Sequence, residues 1–119
     1  MFQQGRTKRE LSFIPKRILI MKGMGMKDER GAHAHHKTHQ VLVAINGGCT
    51  VDIEDAQGKK SITLSRPDEG VYLYPYVWHV MRVFKPKTVL MMITDRHYHE
   101  KDYIRSYDEF KRIIGKKHA

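Results

Sequence analysis

Short apolar segments separated by turn-forming residues make up most of this chain between residues 17 and 94. Gln40–Ile45 is rich in valine and isoleucine and leads into Asn46-Gly47-Gly48, which is typical of a tight hairpin turn. Val51 and Ile53 then alternate with acidic residues, the period of a half-buried strand. Short strands that recur every 8 to 12 residues or so predict an all-β sandwich or barrel.

The rest of the chain completes this pattern and ends differently. The remaining predicted strands are Arg17–Met21, Thr50–Glu54, Ser61–Leu64, Val71–Tyr74, Trp78–Phe84 and Val89–Thr94. The last of them is apolar on both faces, which predicts a central strand. Ser106 and Glu109 form a capping box before an apolar stripe, and we expect Gly115 to end that helix. The sequence therefore predicts a small jelly-roll β-barrel with one short C-terminal helix.

Composition limits what such a chain can be. Its 119 residues predict a single domain over residues 1–119. The one cysteine, Cys49, excludes an internal disulfide framework and a zinc site built from several thiolates. The polar start, Met1–Glu10, is unlike a signal peptide, and no apolar run reaches the roughly 18 residues of a membrane span. We therefore expect a cytoplasmic protein with no membrane partner.

The net charge is +9, from 22 lysines and arginines against 13 acidic residues. An excess of this size favours an anionic partner or substrate. The basic residues are scattered and accompany no RNP-like aromatic motif, so nucleic acid is not the expected partner. A nucleotide or a phosphorylated small molecule fits the charge better.

Four histidines lie within seven positions, at His33, His35, His36 and His39. His33 and His35 are two residues apart, so a strand would place both on one face. They could bind a metal, exchange protons as general acid and base, or simply face solvent. We expect His36 and His39 to be surface residues.

The metal interpretation can be tested against spacing. His33-Ala34-His35, Gln40 and Gly47 resemble the first motif of metal-binding cupins, but an amide replaces the ligand glutamate. His79 stands one position early for the second motif, so we expect it on the other face of its strand. We predict no metal and no cofactor.

Four ordered motifs carry a more specific resemblance. Arg30–Lys37 (RGAHAHHK), Gln40–Cys49, Gly70–Pro75 with Trp78 and Met81, and Tyr98–Arg105 with Tyr107 and Phe110 are similar to segments of the dTDP-4-oxo-6-deoxyglucose 3,4-ketoisomerases, the WxcM-like cupins. One departure is the absence, within Ile18–Met21, of the tyrosine that members often carry on the strand before the histidine loop.

The resemblance implies a metal-independent cupin homodimer that moves a ketone from carbon 4 to carbon 3 of a dTDP-linked 6-deoxyhexose, in the synthesis of deoxyamino sugars. It makes His33 and His35 the catalytic acid and base. The expected substrate-binding residues are Arg17, Arg30, Lys37, Gln40, Tyr74, Trp78 and Arg105, with Arg17 and Arg30 on the diphosphate. The stereochemistry of the product stays open.

Three alternatives remain at this point. The chain could be an epimerase-like cupin, a sugar- or nucleotide-binding cupin without turnover, or a metal-dependent dioxygenase. The aromatic side chains Tyr72, Tyr74, Tyr76 and Trp78 could stack on a base or a sugar ring, but such clusters more often belong to the core.

Overall fold

The computed structural model describes residues 11–117, which form nine strands, one short 3₁₀ turn and one α-helix. The strands are β1 (Arg17–Lys22), β2 (Glu29–His35), β3 (Gln40–Asn46), β4 (Cys49–Asp55), β5 (Gly58–Leu64), β6 (Gly70–Leu73), β7 (Trp78–Arg82), β8 (Val89–Thr94) and β9 (Tyr103–Ile104). The 3₁₀ turn spans Glu100–Asp102 and the helix, α1, spans Tyr107–Lys117.

The strands form two antiparallel sheets. The four-stranded sheet has the order β1-β8-β3-β6, and the five-stranded sheet has the order β5-β4-β7-β2-β9. Consecutive strands alternate between the sheets except for β4 and β5, which pair as a hairpin, and this arrangement is consistent with a jelly roll. The predicted fold class is confirmed, although two facing sheets stand where the sequence predicted a barrel. Strand β8 lies between β1 and β3, the inner position expected from its apolar faces.

The core fills the space between the sheets. Leu42 and Leu90 from the four-stranded sheet, and Val51 and Met81 from the five-stranded sheet, are at most 2% exposed. Burial of each such side chain contributes about 2 kcal/mol to stability. Each alternates along its strand with an outward residue, so the position of a residue within its strand decides whether it faces this space.

The turn at Asn46-Gly47-Gly48 connects the two sheets instead of closing a hairpin. Strand β3 pairs with β6 and β8, and β4 pairs with β5 and β7, so the strands on either side of the turn do not pair. Gly47 has a positive φ of 71°, and a Cβ atom there would collide with Thr88. The Thr88 hydroxyl oxygen accepts the Gly48 N–H at 3.0 Å and so holds the crossing in place.

Helix α1 covers part of the outer face of the five-stranded sheet. The Ser106 hydroxyl accepts the Glu109 N–H at 3.2 Å, which is half of the predicted capping box. The helix runs through Gly115 instead of ending there, so that prediction was wrong. Phe110 and Ile114 are buried beside Ala34 and Ile104. Among residues 11–117, no helix is long and apolar enough to cross a membrane.

The outer face of the four-stranded sheet is apolar and open. Ile18 and Ile20 on β1 are 60% and 50% exposed, and Ile45 at the end of β3 is 45% exposed. By register with Ile18 and Ile20, the half-buried Ile93 and Met91 lie on the same face. We call these five side chains the apolar outer face.

Candidate active site

A bulge in β2 places two histidines on the inner face of the five-stranded sheet. Gly31 pairs with Val80 and His33 with His79, so Ala32 is an extra residue without an opposite partner. Ala32 and Gly31 both have positive φ, 60° and 88°. A Cβ on Gly31 would lie 2.9 Å from the His79 carbonyl oxygen, so glycine also permits close approach of the two strands.

His33, His35 and His79 form a cluster within the jelly roll. The ring centroid of His33 lies 5.0 Å from that of His35 and 4.6 Å from that of His79. His79 is 1% exposed and faces the cluster, so the prediction that it would point to the other face was wrong. The preceding residues explain the error. Tyr76 has a φ of 61°, so the alternation of inward and outward side chains is interrupted there and begins anew at the start of β7.

Burial keeps these imidazoles uncharged. Burial, together with the charge of His35, lowers the pKa of His33 from 6.5 to about 4. Burial also lowers the pKa of His35, although Asp102 acts in the opposite direction through a hydrogen bond and its charge. The pKa of His79 falls well below its usual value because the ring is buried beside the other two. Near neutral pH, all three are free to accept a proton.

Asp102, in the 3₁₀ turn, connects β2 to the segment before the helix. Its carboxylate accepts the Lys37 backbone N–H at 2.8 Å and the Thr38 hydroxyl, and its Oδ2 lies 3.1 Å from Nδ1 of His35. Burial acts to raise the pKa of Asp102, but these donors hold it below its usual value. Asp102 is therefore a buried carboxylate in contact with one of the clustered histidines.

Aromatic and charged groups surround the mouth of the cluster. The ring of Tyr103 lies 4.3 Å from His35 and 4.9 Å from His33, and the Arg105 guanidinium lies 4.2 Å from the Tyr103 centroid. Arg105 donates two hydrogen bonds to Glu100, and these bonds are the main reason that the pKa of Glu100 is only about 2. Arg17 lies 5.5 Å from the centroid of the Tyr98 ring.

These groups enclose a small pocket beside His35. Its walls are formed by residues from β1, β2, β3, β8 and β9, from the loop between β2 and β3, and from the segment between β8 and β9. These residues are Arg17, His35, Thr38, Gln40, Thr94, Arg96, His97, Tyr98, His99 and Tyr103. Within residues 11–117, four buried side-chain atoms have no hydrogen-bond partner, and these are His35 Nε2, Gln40 Oε1, His79 Nε2 and Arg96 Nε. Three of them belong to the walls of this pocket. Buried polar atoms without partners are costly, so a bound molecule would supply what they lack.

The structure brings together part of the predicted site. Arg17 and Gln40 line the pocket with His35, while His33 adjoins it and Arg105 reaches it through the Tyr103 ring.

Four other predicted substrate-binding residues do not reach the pocket. Arg30 is exposed and lies beside Asp28 at 3.9 Å, and Lys37 is also exposed. Tyr74 follows the inward Leu73 and stacks on Tyr72. Trp78 precedes the inward His79 and contacts Tyr107 and Phe110 under α1.

Several residues in or beside the pocket were missed by the sequence interpretation. Asp102 and Tyr103 stand in the motif that ends with Arg105, so the resemblance contained a signal for both. His97 and His99, which had no assigned role, line the pocket, as does Arg96. His36 and His39 are half-buried and lie within 3.2 Å of the hydroxyls of Tyr76 and Tyr72, outside the pocket. His118 lies outside the described residues.

In the part of the chain that the structure describes, no group of three or more His, Cys, Asp or Glu side chains could hold a metal ion. Cys49 is buried in the core, and burial raises the pKa of its thiol to about 11.

Comparison with known proteins gives consistent results. The protein family described as WxcM-like, C-terminal (FdtA) matches residues 2–115 of this chain. A TDP-4-oxo-6-deoxy-α-D-glucose-3,4-oxoisomerase from Aneurinibacillus thermoaerophilus is 41% identical over 108 residues, which are 91% of this chain and 78% of that protein.

Solved structures agree with the sequence match. QdtA, a sugar 3,4-ketoisomerase from Thermoanaerobacterium thermosaccharolyticum in complex with TDP, is similar with a TM-score of 0.88 and 33% identity, covering 92% of this chain and 80% of that one. A mutant of QdtA in complex with TDP-4-keto-6-deoxyglucose has a TM-score of 0.87 and 33% identity, covering 90% of this chain and 78% of that one.

Proposed function

The chain belongs to the WxcM-like, C-terminal (FdtA) family, and we propose that it is a sugar-nucleotide 3,4-ketoisomerase. Its substrate is a TDP-linked 4-oxo-6-deoxyhexose, and its product carries the ketone on carbon 3. The sequence relative is a TDP-4-oxo-6-deoxyglucose 3,4-oxoisomerase, and similar structures hold TDP or TDP-4-keto-6-deoxyglucose, which supports this substrate class. The reaction serves deoxyamino-sugar synthesis.

The reaction needs two proton movements and no external oxidant. Carbon 3 is adjacent to the carbon-4 ketone, so a base can remove its proton while the electrons form a carbon–carbon double bond and oxygen 4 gains a proton. The resulting enediol is protonated on carbon 4 as oxygen 3 loses its proton. One proton moves from carbon 3 to carbon 4 and one from oxygen 3 to oxygen 4. Two imidazoles on one face can serve these two transfers.

The observation that carries the proposal is the state of His35. Its Nε2 is buried on the pocket wall without a hydrogen-bond partner, and its pKa is lowered mainly by burial. The neighbouring ring of His33 supplies a second proton acceptor at a centroid distance of 5.0 Å. We propose His33 and His35 as the catalytic pair.

Arginine side chains at the pocket suit the nucleotide diphosphate. Arg17 and Arg96 line the pocket, and Arg105 lies at its mouth over Tyr103. Guanidinium groups bind phosphate oxygens through charge-assisted hydrogen bonds. Arg96 Nε has no partner among the described residues, and Oε1 of Gln40 is free to accept a bond from a sugar hydroxyl. Replacement of Arg96 by Met should therefore raise KM more than it lowers kcat, and an unchanged KM would remove Arg96 from this role.

The test is proton NMR of the full chain with TDP-4-oxo-6-deoxyglucose in deuterated water. The expected product is a 3-keto sugar with deuterium on carbon 4. His33→Asn and His35→Asn should each lower turnover at least about 100-fold, the usual effect of a positioned acid or base. His36→Asn is the matched control, because His36 is a neighbouring histidine outside the pocket.

The other outcomes separate the alternatives. Exchange at carbon 3 without product would show a working base and a different sugar. Binding of the nucleotide sugar without exchange or product would indicate a binding protein. Activity near that of the wild type in both histidine variants would remove the proposed mechanism.

We also infer that the chain forms a homodimer through the apolar outer face. Its exposed isoleucines, Ile18, Ile20 and Ile45, form part of one continuous patch on a sheet, and patches of this kind on soluble proteins mark interaction surfaces. A second copy is the occupant we favour, because two such faces match each other in polarity and a two-fold axis closes the assembly. The expected result of light scattering is the mass of a dimer, and a monomer at all concentrations would refute it. The cytoplasmic location stays a prediction.

A further inference from the structure

We propose that Asp102 is a positioning residue, which fixes His35 as the tautomer with hydrogen on Nδ1 and thereby presents the lone pair of Nε2 to the pocket as a proton acceptor. This inference rests on the proposed function and extends it, because it names the group that orients one of the two proposed catalytic histidines. It depends on the contacts of one buried carboxylate with its three donors.

The tautomer follows from what a carboxylate can do. Asp102 is 7% exposed and stays ionised, since burial alone would raise its pKa but its donors more than offset that effect. An ionised carboxylate only accepts hydrogen bonds. The His35 nitrogen that lies 3.1 Å from Asp102 Oδ2 must therefore carry the hydrogen. The lone pair of the ring is left on Nε2.

The same contact sets the direction of the ring. Asp102 also holds the loop after β2, through the Lys37 N–H and the Thr38 hydroxyl. The carboxylate is thus anchored by the same segment that follows His35, and the imidazole cannot turn without losing its bond. Nε2 belongs to a side chain of the pocket wall, is buried, and has no partner among the described residues.

The three clustered histidines differ in the group that contacts Nδ1 of each ring. Nδ1 of His33 is 3.1 Å from the Gly31 carbonyl oxygen, and Nδ1 of His79 is 3.4 Å from the Val77 carbonyl oxygen. Within the described residues, His35 is the member of the cluster whose ring bonds to a carboxylate. A full negative charge stabilises an imidazolium far more than a carbonyl dipole does. Protonated His35 is therefore stabilised more than protonated His33 or His79 would be.

Other charged groups near His35 act against protonation. Arg17 from β1 and Arg105 after β9 both lower its pKa, while Asp102 raises it. On the remaining sides lie the rings of His33, His79 and Tyr103. The negative charge of Asp102 thus stabilises His35 while its imidazole carries a proton.

The protons balance in this assignment. The bond between the substrate and the transferred proton breaks as Nε2–H forms, and the imidazolium keeps its Nδ1–H bonded to the carboxylate, which takes up no proton. The Nε2–H bond then breaks as the proton returns to the substrate. Asp102 touches no reacting atom and acts only through His35.

Asp102→Asn tests the assignment with little change of shape. One side-chain oxygen can still accept the Lys37 N–H, which places the amide nitrogen where Oδ2 was. The Thr38 hydroxyl can turn to accept from that nitrogen, but His35 can accept only by moving its hydrogen to Nε2. The variant should lose at least about 100-fold in kcat, with KM within about threefold of the wild type.

Thr38→Val is the matched control. It removes another hydrogen bond to the same carboxylate oxygen and leaves the tautomer of His35 as it is. If Asp102 only stabilises the loop, both variants should lose similar activity. We expect Thr38→Val to lose less than about tenfold in kcat.

The decisive measurement is the nitrogen-15 NMR spectrum of histidine-labelled full-length protein without substrate, with His35→Asn used to assign the signals. We expect Nδ1–H on His35 in the wild type and Nε2–H in Asp102→Asn. Nε2–H in the wild type would overturn the proposal, and so would an active Asp102→Asn variant that keeps Nδ1–H. If that variant does not fold, the wild-type spectrum alone decides. Because no sugar is present, failure of the ketoisomerase assay with wild-type protein would count against the proposed function and not against this tautomer.

Discussion

Acidification from about pH 7.5 to about pH 5 should destabilise the folded protein, and His33 should account for about 2 kcal/mol of the loss. In the folded state the pKa of His33 is about 4, against an ordinary value of 6.5. The unfolded chain therefore binds a proton at His33 below about pH 6.5, whereas the folded chain stays neutral there until about pH 4.

The size of this loss follows from the pKa of His33 in the folded state and its ordinary pKa. One pKa unit corresponds to about 1.4 kcal/mol, so the full effect approaches about 3 kcal/mol near pH 4, and about 2 kcal/mol of it is already lost at pH 5. His35 and His79 act in the same direction, because their pKa values are also lowered in the folded state. The stabilising contribution of neutral His33 is thus present above about pH 6.5 and falls away as the pH decreases.

The assay is urea unfolding at fixed protein concentration, at pH values from about 7.5 to about 5, for the wild type and His33→Gln. The glutamine variant should lose about 2 kcal/mol less in its free energy of unfolding over that range. Carboxylates contribute equally to both proteins and cancel in the difference. His99→Gln, at an exposed position, controls for removal of a histidine as such. Parallel curves for wild type and His33→Gln would refute the reasoning.

Two further predictions concern backbone and assembly. Gly47→Ala should lower the free energy of unfolding by about 1–3 kcal/mol, because φ of Gly47 is positive and the new methyl group would collide with Thr88. Gly115→Ala should raise the free energy of unfolding by up to about 1 kcal/mol, because Gly115 lies in exposed helix with open space around it. Urea unfolding of both variants checks this, and the reverse order would contradict it. Ile20→Lys should shift light scattering from dimer to monomer, and an unaltered dimer would exclude the apolar outer face as the interface.

Local patterns predicted most of the strands, because alternation and turn residues act over a few neighbours. They could not predict which strands pair. The Asn46-Gly47-Gly48 turn indicated a reversal of the chain, but the partner of β3 is decided by packing between sheets. The same limit applies to Gly115. A glycine permits a helix to end but does not force it to end, and the helix continues past this residue.

The histidine pair was predictable because both members lie in one strand, and the residues that complete the site were not, because they lie far away in sequence. Asp102 reaches His35 across 67 positions. Trp78 and Tyr74 lie outside the pocket beside His35, and alternation indicates this, since each adjoins an inward residue. The direction of the His79 side chain could not be predicted, because the irregular turn at Tyr76 interrupts the alternation of inward and outward residues.

The bulge at Ala32 makes the orientation of the site depend on one inserted residue. If Ala32 entered the ladder, it would lie opposite His79 and His33 would lie opposite Trp78, provided that the pairing from Glu29 to Gly31 kept its register. No side chain of the site would be altered, yet His33 would turn from the interior to the outer surface. Removal of Ala32 by a single-codon deletion would instead place His33 next to Gly31 and still opposite His79. In the evolution of this strand, a deletion of one residue at this position should therefore keep the histidines facing inward, whereas regular pairing with Ala32 retained should abolish the chemistry.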